Sequence, residues 1–549
     1  MIKSSSLNIT DLINQFNQFS MTKRIVERKN VGDFIELGKY TGYLCLLYEL
    51  LVVSQVCNLI YMIYGGAAVR PEGCNGHLFT DMTPKQQCAE YNKHLNSTMG
   101  CPDPILSADF ESVGYEFHYF CDSANKVKLS ISLQMIGIMF GAMTFGQLSD
   151  MFGRRTILLF GTVGLIVSGL ASTFVNSLIA FTIARFFVMF FTGGKHSVSY
   201  VFMMENLPAK HRMWMITVIT YSPNYIVFTG LAYLTGEWRL LSRVVAFITI
   251  LPGILLLFAY ESPRWLLLKG KIDKARRALV GMGRWDKKNT AERLQELDLL
   301  LDKERERIRE AVGKPKTNYT YFHLFSRRNF ASYSILFAYS LMITSIISYG
   351  LVFNMEKLSG SIYLNTIIVG SLRYAINLIC AVIDIKFIWA GRRLLHGFSM
   401  FFIAISLGVV FIIMLLGLNL QTVIRITALS AAAMCSQIYI LNAVTPSELF
   451  PTAIRNKEIG FIQTFNRIGN IVAPQIFVIG EFWTPLPYLT MGLFALIEVT
   501  AFLMIVPETK GKPMPDRMPG EEDIDEAPKL LIKSDKSNDE RMPLNEIKK

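Results

Sequence analysis

One charged cassette occurs twice in this chain, in the same order and at nearly constant spacing. Gly146-Gln-Leu-Ser-Asp-Met-Phe-Gly-Arg-Arg155 is followed by Glu205-Asn-Leu-Pro-Ala-Lys-His-Arg212 and Glu261-Ser-Pro-Arg264. Gly391-Arg392-Arg393 is followed by Glu448-Leu-Phe-Pro-Thr-Ala-Ile-Arg455 and Pro507-Glu-Thr-Lys510. Gly153 to Gly391 is 238 residues, Glu205 to Glu448 is 243 and Glu261 to Glu508 is 247. Chance supplies one Gly-Arg-Arg, not three elements in the same order. Charged cassettes recurring between long apolar runs imply a membrane bundle of two homologous halves.

Of the 549 residues 51% are hydrophobic and only 18% charged, and the mean hydropathy is +0.34. A soluble domain carries about a quarter charged residues, so the deficit points to the bilayer. Runs with few or no charges cluster around 40–64, 129–149, 156–176, 178–204, 213–236 and 244–260. A second six lie around 331–355, 361–389, 396–418, 424–447, 458–480 and 484–506. Crossing hydrocarbon takes about 20 residues of helix. Only helices or closed barrels satisfy the backbone there, and these runs are too long for barrel strands. The expected fold is an all-α membrane protein of twelve transmembrane helices in two six-helix halves.

The basic residues set the orientation. Lys23, Arg24, Arg28 and Lys29 precede the first span, Arg154 and Arg155 follow the second, and Lys210 and Arg212 follow the fourth. The stretch 264–328 is heavily basic, and Arg392, Arg393, Arg455 and Lys457 continue the pattern. The positive-inside rule puts these segments in the cytoplasm. The expected organisation is a cytoplasmic N-terminus (1–39), a first span (40–64), an extracellular cysteine-bearing loop (65–127) and spans two to six (128–260). A cytoplasmic loop with amphipathic helices (261–330), a six-span second half (331–506) and a disordered cytoplasmic tail (507–549) complete it. The net charge of +12 is then a topology signal. It is not a nucleic-acid footprint, since no basic face alternates with exposed aromatics on a soluble domain. The first 35 residues lack the apolar core of a cleavable signal peptide.

The loop 65–127 holds Cys74, Cys88, Cys101 and Cys121, an even set in an oxidising location. Two disulfides are expected, with three pairings open. Zinc is the weaker reading, for want of a tight Cys-x-x-Cys or His pair. Cys45, Cys57, Cys380 and Cys435 fall in spans and read as packing residues. In the cytoplasmic loop, Leu294, Leu297 and Leu301 recur at helical spacing opposite Glu and Arg. No nucleophile–base constellation, nucleotide-binding Gly-rich loop or metal cluster is present, which argues against an enzyme and against any cofactor.

Gly146-x-x-x-Asp150-x-x-Gly-Arg-Arg155 resembles the signature of the major facilitator superfamily. Glu261-Ser-Pro-Arg-Trp-Leu-Leu267, Glu448-Leu-Phe-Pro-Thr452, Arg455-Asn456 and Pro507-Glu-Thr-Lys-Gly-Lys-Pro-Met-Pro-Asp516 resemble its organic ion transporters (cation, carnitine and anion carriers). The large cysteine-bearing loop after the first span is similar to theirs. The resemblance runs over residues 35–516. It implies alternating access, in which two halves rock about a central site that opens to one side at a time. It also implies a cytoplasmic ion-pair latch. Asp150 would bond across to the second half while Arg154 and Arg155 hold neighbouring helix ends. Glu205 with Arg212, Glu261 with Arg264, and Glu448 with Arg455 would complete the network beside Arg392 and Arg393 when the cytoplasmic side is shut. Such pairs suit a switch, because each contributes modestly and can be remade.

Charges inside spans are the candidate substrate groups, because a bilayer tolerates them only beside a cavity or a partner. They are Glu49, Lys195, Arg373, Asp384, Lys386, Arg467 and Glu498. Arg467 falls where resembling cation carriers have aspartate and anion and carnitine carriers have arginine. A buried arginine binds a carboxylate bidentately; otherwise it pairs permanently with a neighbouring helix. Arg373 and Asp384 are eleven residues apart, about three turns and on one face, but too far to pair. Cys380 takes the place of a lysine found in several anion carriers, which leaves the substrate's charge open. Lys195, after Gly193-Gly194, is either cavity-facing or paired. Glu49 is a proton site or a partner for such a cation. Tyr349 matches an aromatic cavity position of the anion carriers, and Tyr221 and Tyr225 flank Pro223.

The substrate expected is thus a small organic anion or zwitterion, moved by uniport or by exchange with a coupling ion or exchange anion. An organic cation carrier using Glu49 or Asp384 is the alternative, and a transporter-shaped receptor without flux a more distant one. The protein is expected to act as a monomer in the plasma membrane, in contact with the lipid bilayer. Asn96-Ser-Thr98 is a glycosylation sequon in the loop, whereas Asn8-Ile-Thr10 and Asn318-Tyr-Thr320 fall on the cytoplasmic side. Glycosidase treatment should therefore shift the mobility of the wild-type protein but not of Asn96→Gln. Sugar on Asn8 or Asn318 would overturn the topology.

Overall fold

The computed structural model describes residues 31–74, 77–79, 82, 84–95, 101, 104–208, 221–311, 320–355, 358–387 and 390–510. Asn8, Asn96, Lys210, Arg212, Asn318 and the tail from residue 511 lie outside the described residues. We number the bundle helices α1 (Lys39–Leu59), α2 (Ala124–Phe152), α3 (Arg154–Ala171), α4 (Leu178–Asn206), α5 (Ser222–Thr235) and α6 (Trp238–Phe258) in the first half. The second half holds α7 (Arg328–Val352), α8 (Ile362–Lys386), α9 (Arg392–Leu415), α10 (Gln421–Leu449), α11 (Thr452–Val472) and α12 (Leu486–Ile505). This is the all-helical membrane bundle that the apolar runs imply.

Ten of these helices are long and apolar enough to cross a bilayer. The two others are informative. The described part of α5 is 14 residues long. Helix α11 carries Arg455, Lys457, Glu458, Gln463, Asn466, Arg467 and Asn470, too polar for a lipid-facing span. A polar helix at this place in the bundle has to turn toward protein or a cavity.

Small residues let the helices approach. Gly137 and Gly141 of α2 lie against the backbone carbonyls of Phe186 and Phe190 in α4, where a Cβ would not fit. Gly469 of α11 lies in the same way against Met342 O of α7. Elsewhere the chain is punctuated locally. Ser177 caps α4 by accepting from Ala180 N (3.3 Å), and α2 passes into α3 through Gly153 at φ +111°.

After α1 the chain forms a small three-stranded antiparallel sheet, β1 (Arg70–Cys74), β2 (His77–Leu78) and β3 (Pro104–Ser107), in the order β2-β1-β3. Disulfides join Cys74 to Cys101 and Cys88 to Cys121, one of the three pairings the sequence leaves open. Ser112 Oγ donates to Ala67 O (2.8 Å) and ties this loop to the end of α1. Glu116 ties it to α6, pairing with Arg239 (2.6 Å) and accepting from Trp238 Nε1 (2.7 Å). At the other end of the bundle, helices Pro263–Leu268, Ile272–Trp285 and Ala291–Ala311 lie against the first half. They bury Leu297 and Leu301 as the spacing implies and are linked by Arg276–Asp298 (2.6 Å).

The Arg239 guanidinium holds the Glu116 carboxyl below its ordinary 4.5. A depressed carboxylate contributes stability above its unfolded value and loses it as pH falls through its folded one. Glu116→Gln should therefore lower the apparent melting temperature of the detergent-solubilised protein near neutral pH. The effect is about 1 kcal/mol or less for a pair this exposed. The gap from wild type should close below about pH 4, checked by a thermal shift series across pH.

Candidate functional site

Contacts between the halves gather toward the disulfide loop. Gln475 Nε2 donates to Ser132 Oγ (3.0 Å), Lys128 to Asn354 Oδ1, and Tyr363 OH to Asp109 O (3.0 Å). The rings of Tyr64 and Tyr363 stack at 5.3 Å, and Gly370 of α8 leaves room for Tyr225 of α5.

Below this seam lies a polar and aromatic centre. Gln55 of α1, His196 of α4, Tyr221 and Tyr225 of the α5 region come from the first half. Tyr349 of α7, Arg373 of α8, Tyr439 of α10 and Arg467 of α11 come from the second. Arg373 Nη1 donates to Tyr225 OH (3.1 Å), and its guanidinium lies 5.3 Å from that ring. Arg467 is half-buried and within electrostatic range of His196, Tyr221 and Tyr349. Among the described residues no carboxylate pairs with Arg373 or Arg467, and no hydrogen bond ties Arg467 down. Tyr439 OH donates to Ser345 Oγ (3.1 Å), which in turn donates to Asn466 Oδ1.

The other in-span candidates are placed differently. Glu49 is half-buried on α1 and hydrogen-bonded to Asn224 of α5. Lys195 is fully buried and donates to Ser54 Oγ (2.8 Å), itself bonded to Thr249 (2.6 Å). It faces the packing of α1, α4 and α6 rather than the centre. Glu498 is buried against His396 (2.8 Å), whose ring stacks on Phe502 at 3.6 Å. That pair belongs to the α9–α12 contact. Lys386 is exposed at the end of α8.

Asp384 requires a correction. Expected as a substrate counter-charge, it sits in the last turn of α8 and pairs with Arg392 (2.6 Å) and Lys510 (3.3 Å). It is the counterpart of Asp150, which pairs with Arg154 (2.5 Å). Arg154 also meets Glu205 (3.3 Å), as Arg392 meets Glu448 (3.5 Å). Glu261 accepts from the backbone of Arg155 (3.0 Å) at the start of α3. Glu508 accepts from that of Arg392 (2.8 Å) and Arg393 (3.2 Å) at the start of α9. A carboxylate there satisfies orphan amides at the positive end of the helix. Gly153 permits it, since a Cβ would stand 2.5 Å from Glu261 Oε2. Arg155 donates to Leu256 O and Leu257 O at the end of α6, and Arg393 to Leu503 O of α12.

Each half thus carries the same knot of acid, arginine and second acid, with a further acid on a helix start. In this arrangement the Asp150 carboxylate is taken by Arg154 four residues on, and among the described residues it has no partner in the second half. Glu205, Glu261 and Glu448 likewise bind the Gly-Arg-Arg segments. Arg455 donates to Phe450 O (3.2 Å), Arg264 is half-buried, and Arg212 lies outside the described residues. Pro507–Lys510, assigned to the tail, are instead part of the knot, with Thr509 donating to Glu448 (2.6 Å).

Two features escaped the sequence reading. Glu458 of α11, fully buried, accepts from Ser334 Oγ (2.6 Å). His196 sits beside Lys195 in the same apolar run. Counting only formal charges within spans passes over a neutral histidine, although a lone imidazole there is the same kind of signal.

The profile of the sugar (and other) transporter family matches residues 79–516. The chain belongs to this family. An organic cation transporter protein of Drosophila melanogaster is 28% identical over 472 residues, 83% of this chain and 80% of that one. Organic anion transporter 3 of Oryctolagus cuniculus is 28% identical over 437 residues, 77% of each chain. The crystal structure of a D-xylose-proton symporter superposes with a TM-score of 0.58 at 17% identity. It covers 87% of this chain and 100% of that one. An inward open xylose transporter of E. coli gives 0.57 at 18% identity, over 85% and 98%. The fold is that of the major facilitator transporters. The relatives are membrane transporters rather than enzymes, and this chain is a multi-pass transporter of small molecules.

The knots predict coupling that bears on rate rather than recognition. Asp384→Asn and Arg392→Gln should each lower maximal uptake severalfold with little change in KM. The double variant should be no worse than the poorer single one, measured as initial uptake corrected for surface protein.

Proposed function

We propose that the protein carries small organic anions or zwitterions across the plasma membrane by alternating access, as a uniporter or exchanger. The disulfide loop lies outside, and both termini and the Gly-Arg-Arg knots lie in the cytoplasm. The observation that carries this reading is Arg467, a half-buried guanidinium at the centre with no carboxylate or hydrogen bond holding it among the described residues. Arg373 stands near Tyr349, and among the described residues its one hydrogen bond is to the Tyr225 hydroxyl. An uncommitted arginine inside a membrane bundle is costly unless a ligand completes it, and a carboxylate does so bidentately. Tyr221, Tyr225 and Tyr349 supply faces and edges for a planar substrate.

Relatives named for anions and for cations both match, so the sign of the charge rests on this site. For a cation, Asp384 is already committed to Arg392 and Lys510, which leaves Glu49 as the counter-charge. Contacts between the halves near the disulfide loop, with the ion pairs at the far end lying within each half, support an inward-facing state. The knots would exchange partners when the cytoplasmic side closes.

The deciding measurement is uptake of a labelled dicarboxylate, an aromatic monoanion, carnitine and a quaternary ammonium by cells expressing wild type or Arg467→Gln. Anions or carnitine should enter, with Arg467→Gln losing at least about 10-fold, the worth of one charge-assisted pair. Entry of the quaternary ammonium alone, unaffected by the substitution, would assign the site to cations.

A further inference from the structure

The centre is chemically lopsided: the second half contributes guanidinium groups, and the first half contributes neutral hydrogen-bonding groups built around His196. Four bonds fix how that imidazole is presented. Ser199 Oγ donates to His196 O (3.1 Å), so it must accept from Gln55 Nε2 (2.8 Å). Gln55 Oε1 then accepts from Tyr221 OH (3.1 Å). The tyrosine's single proton is spent there, so its oxygen accepts from His196 Nδ1 (2.5 Å). The chain of donors makes Nδ1 the protonated nitrogen and leaves Nε2 an acceptor. The ring is only half-buried, and its Nδ1 edge is the engaged one. Nε2 is therefore the edge open to the centre, in electrostatic range of Arg467.

A histidine that merely packed would not need one residue from α1, one from the start of α5 and its own helix to hold its tautomer. We propose that His196 Nε2 is a second recognition point. It accepts a hydrogen bond from a hydroxyl or amide N–H of the substrate while Arg467 holds the carboxylate. The favoured substrates are then hydroxy- or amido-substituted organic acids rather than the bare acids of the same charge. Tyr221, Gln55 and Ser199 are positioning residues that act through the imidazole. The inference rests on the anion reading of the site.

A site built to accept a hydrogen bond rejects the analogue lacking the donor, here by about 10-fold for one neutral bond at a partly open edge. The test is uptake of benzoate, 3-hydroxybenzoate and 4-hydroxybenzoate by the full-length protein in proteoliposomes, for wild type, His196→Phe and His196→Gln. Wild type should show a KM for one hydroxy acid about 10-fold below that for benzoate. His196→Phe should bring that ratio close to one, whatever happens to the absolute rates. His196→Gln, which offers an amide oxygen, should restore part of it. Equal handling of all three acids by wild type overturns the proposal, as does a ratio that His196→Phe leaves intact. If His196→Phe does not fold, the wild-type ratio and its retention in His196→Gln still decide. Entry of none of the acids removes the anion reading and this inference together; entry of all without preference removes this inference alone.

Discussion

A charge inside a bilayer has to be compensated or solvated, and the arrangement of this protein follows from how each of its buried charges meets that demand. At one end of the bundle, Asp150, Arg154 and Glu205 satisfy one another, and Asp384, Arg392 and Glu448 do the same in the second half. Glu261 and Glu508 are compensated by the amides of helix starts instead of by side chains. Glu498 has His396. Lys195 donates to the Ser54 hydroxyl and is sealed in the packing of the first half. Against this background Arg467 stands out because nothing described completes it. A guanidinium without a described partner, beside Arg373 whose described hydrogen bond is to a tyrosine hydroxyl, is the place to look for a ligand.

The duplication, the membrane architecture and the two knots were legible in the sequence because they depend on spacing and on residue type alone. Apolar runs of helix length cannot be disguised, and Gly-Arg-Arg between them has few other uses. What was not legible depends on where a helix stops. Asp384 lies eight residues before Arg392, while Asp150 lies four before Arg154, so simple offset counting did not align the two acids. Helix α8 runs on to Lys386. That places Asp384 in its final turn, beside the arginine, although the sequence read it as the inside of a span. The disulfide pairing was hidden for a similar reason. The Cys74–Cys101 bond follows β1 and β3 lying side by side, a non-local contact no spacing rule encodes.

Within each knot the bonds of this arrangement do not follow adjacency along the chain. Pairing Glu261 with Arg264 or Glu448 with Arg455 looks natural along the chain. At the start of α3 the Arg155 amide and the Gly153 turn meet the Glu261 carboxylate, while Glu448 takes the Arg392 guanidinium and the Thr509 hydroxyl. The flexible arginines then reach for carbonyls at helix ends, as Arg155 does at Leu256 and Leu257. Adjacency along the chain picks out acids that enter the knots, and where the helices begin decides their partners in this arrangement.

On the proposed reading, the asymmetry of the centre has a mechanical consequence. If the substrate's carboxylate lies on Arg467 of α11 and its hydroxyl or amide on His196 of α4, each half holds one end of the same small molecule. Binding energy then couples the halves directly. It favours whichever arrangement brings α4 and α11 to the span of the substrate, and a ligand shifts an equilibrium only by its differential affinity for the two states. The knots set the opposing term. Because their bonds close within a half in this arrangement, they do not bind the halves together at that end, and the far seam of Gln475, Lys128 and Tyr363 does. A bare acid that engages Arg467 alone would bind one half and leave that equilibrium untouched, so it should occupy the site without being moved efficiently. Recognition at two points would thus select for turnover as well as for affinity.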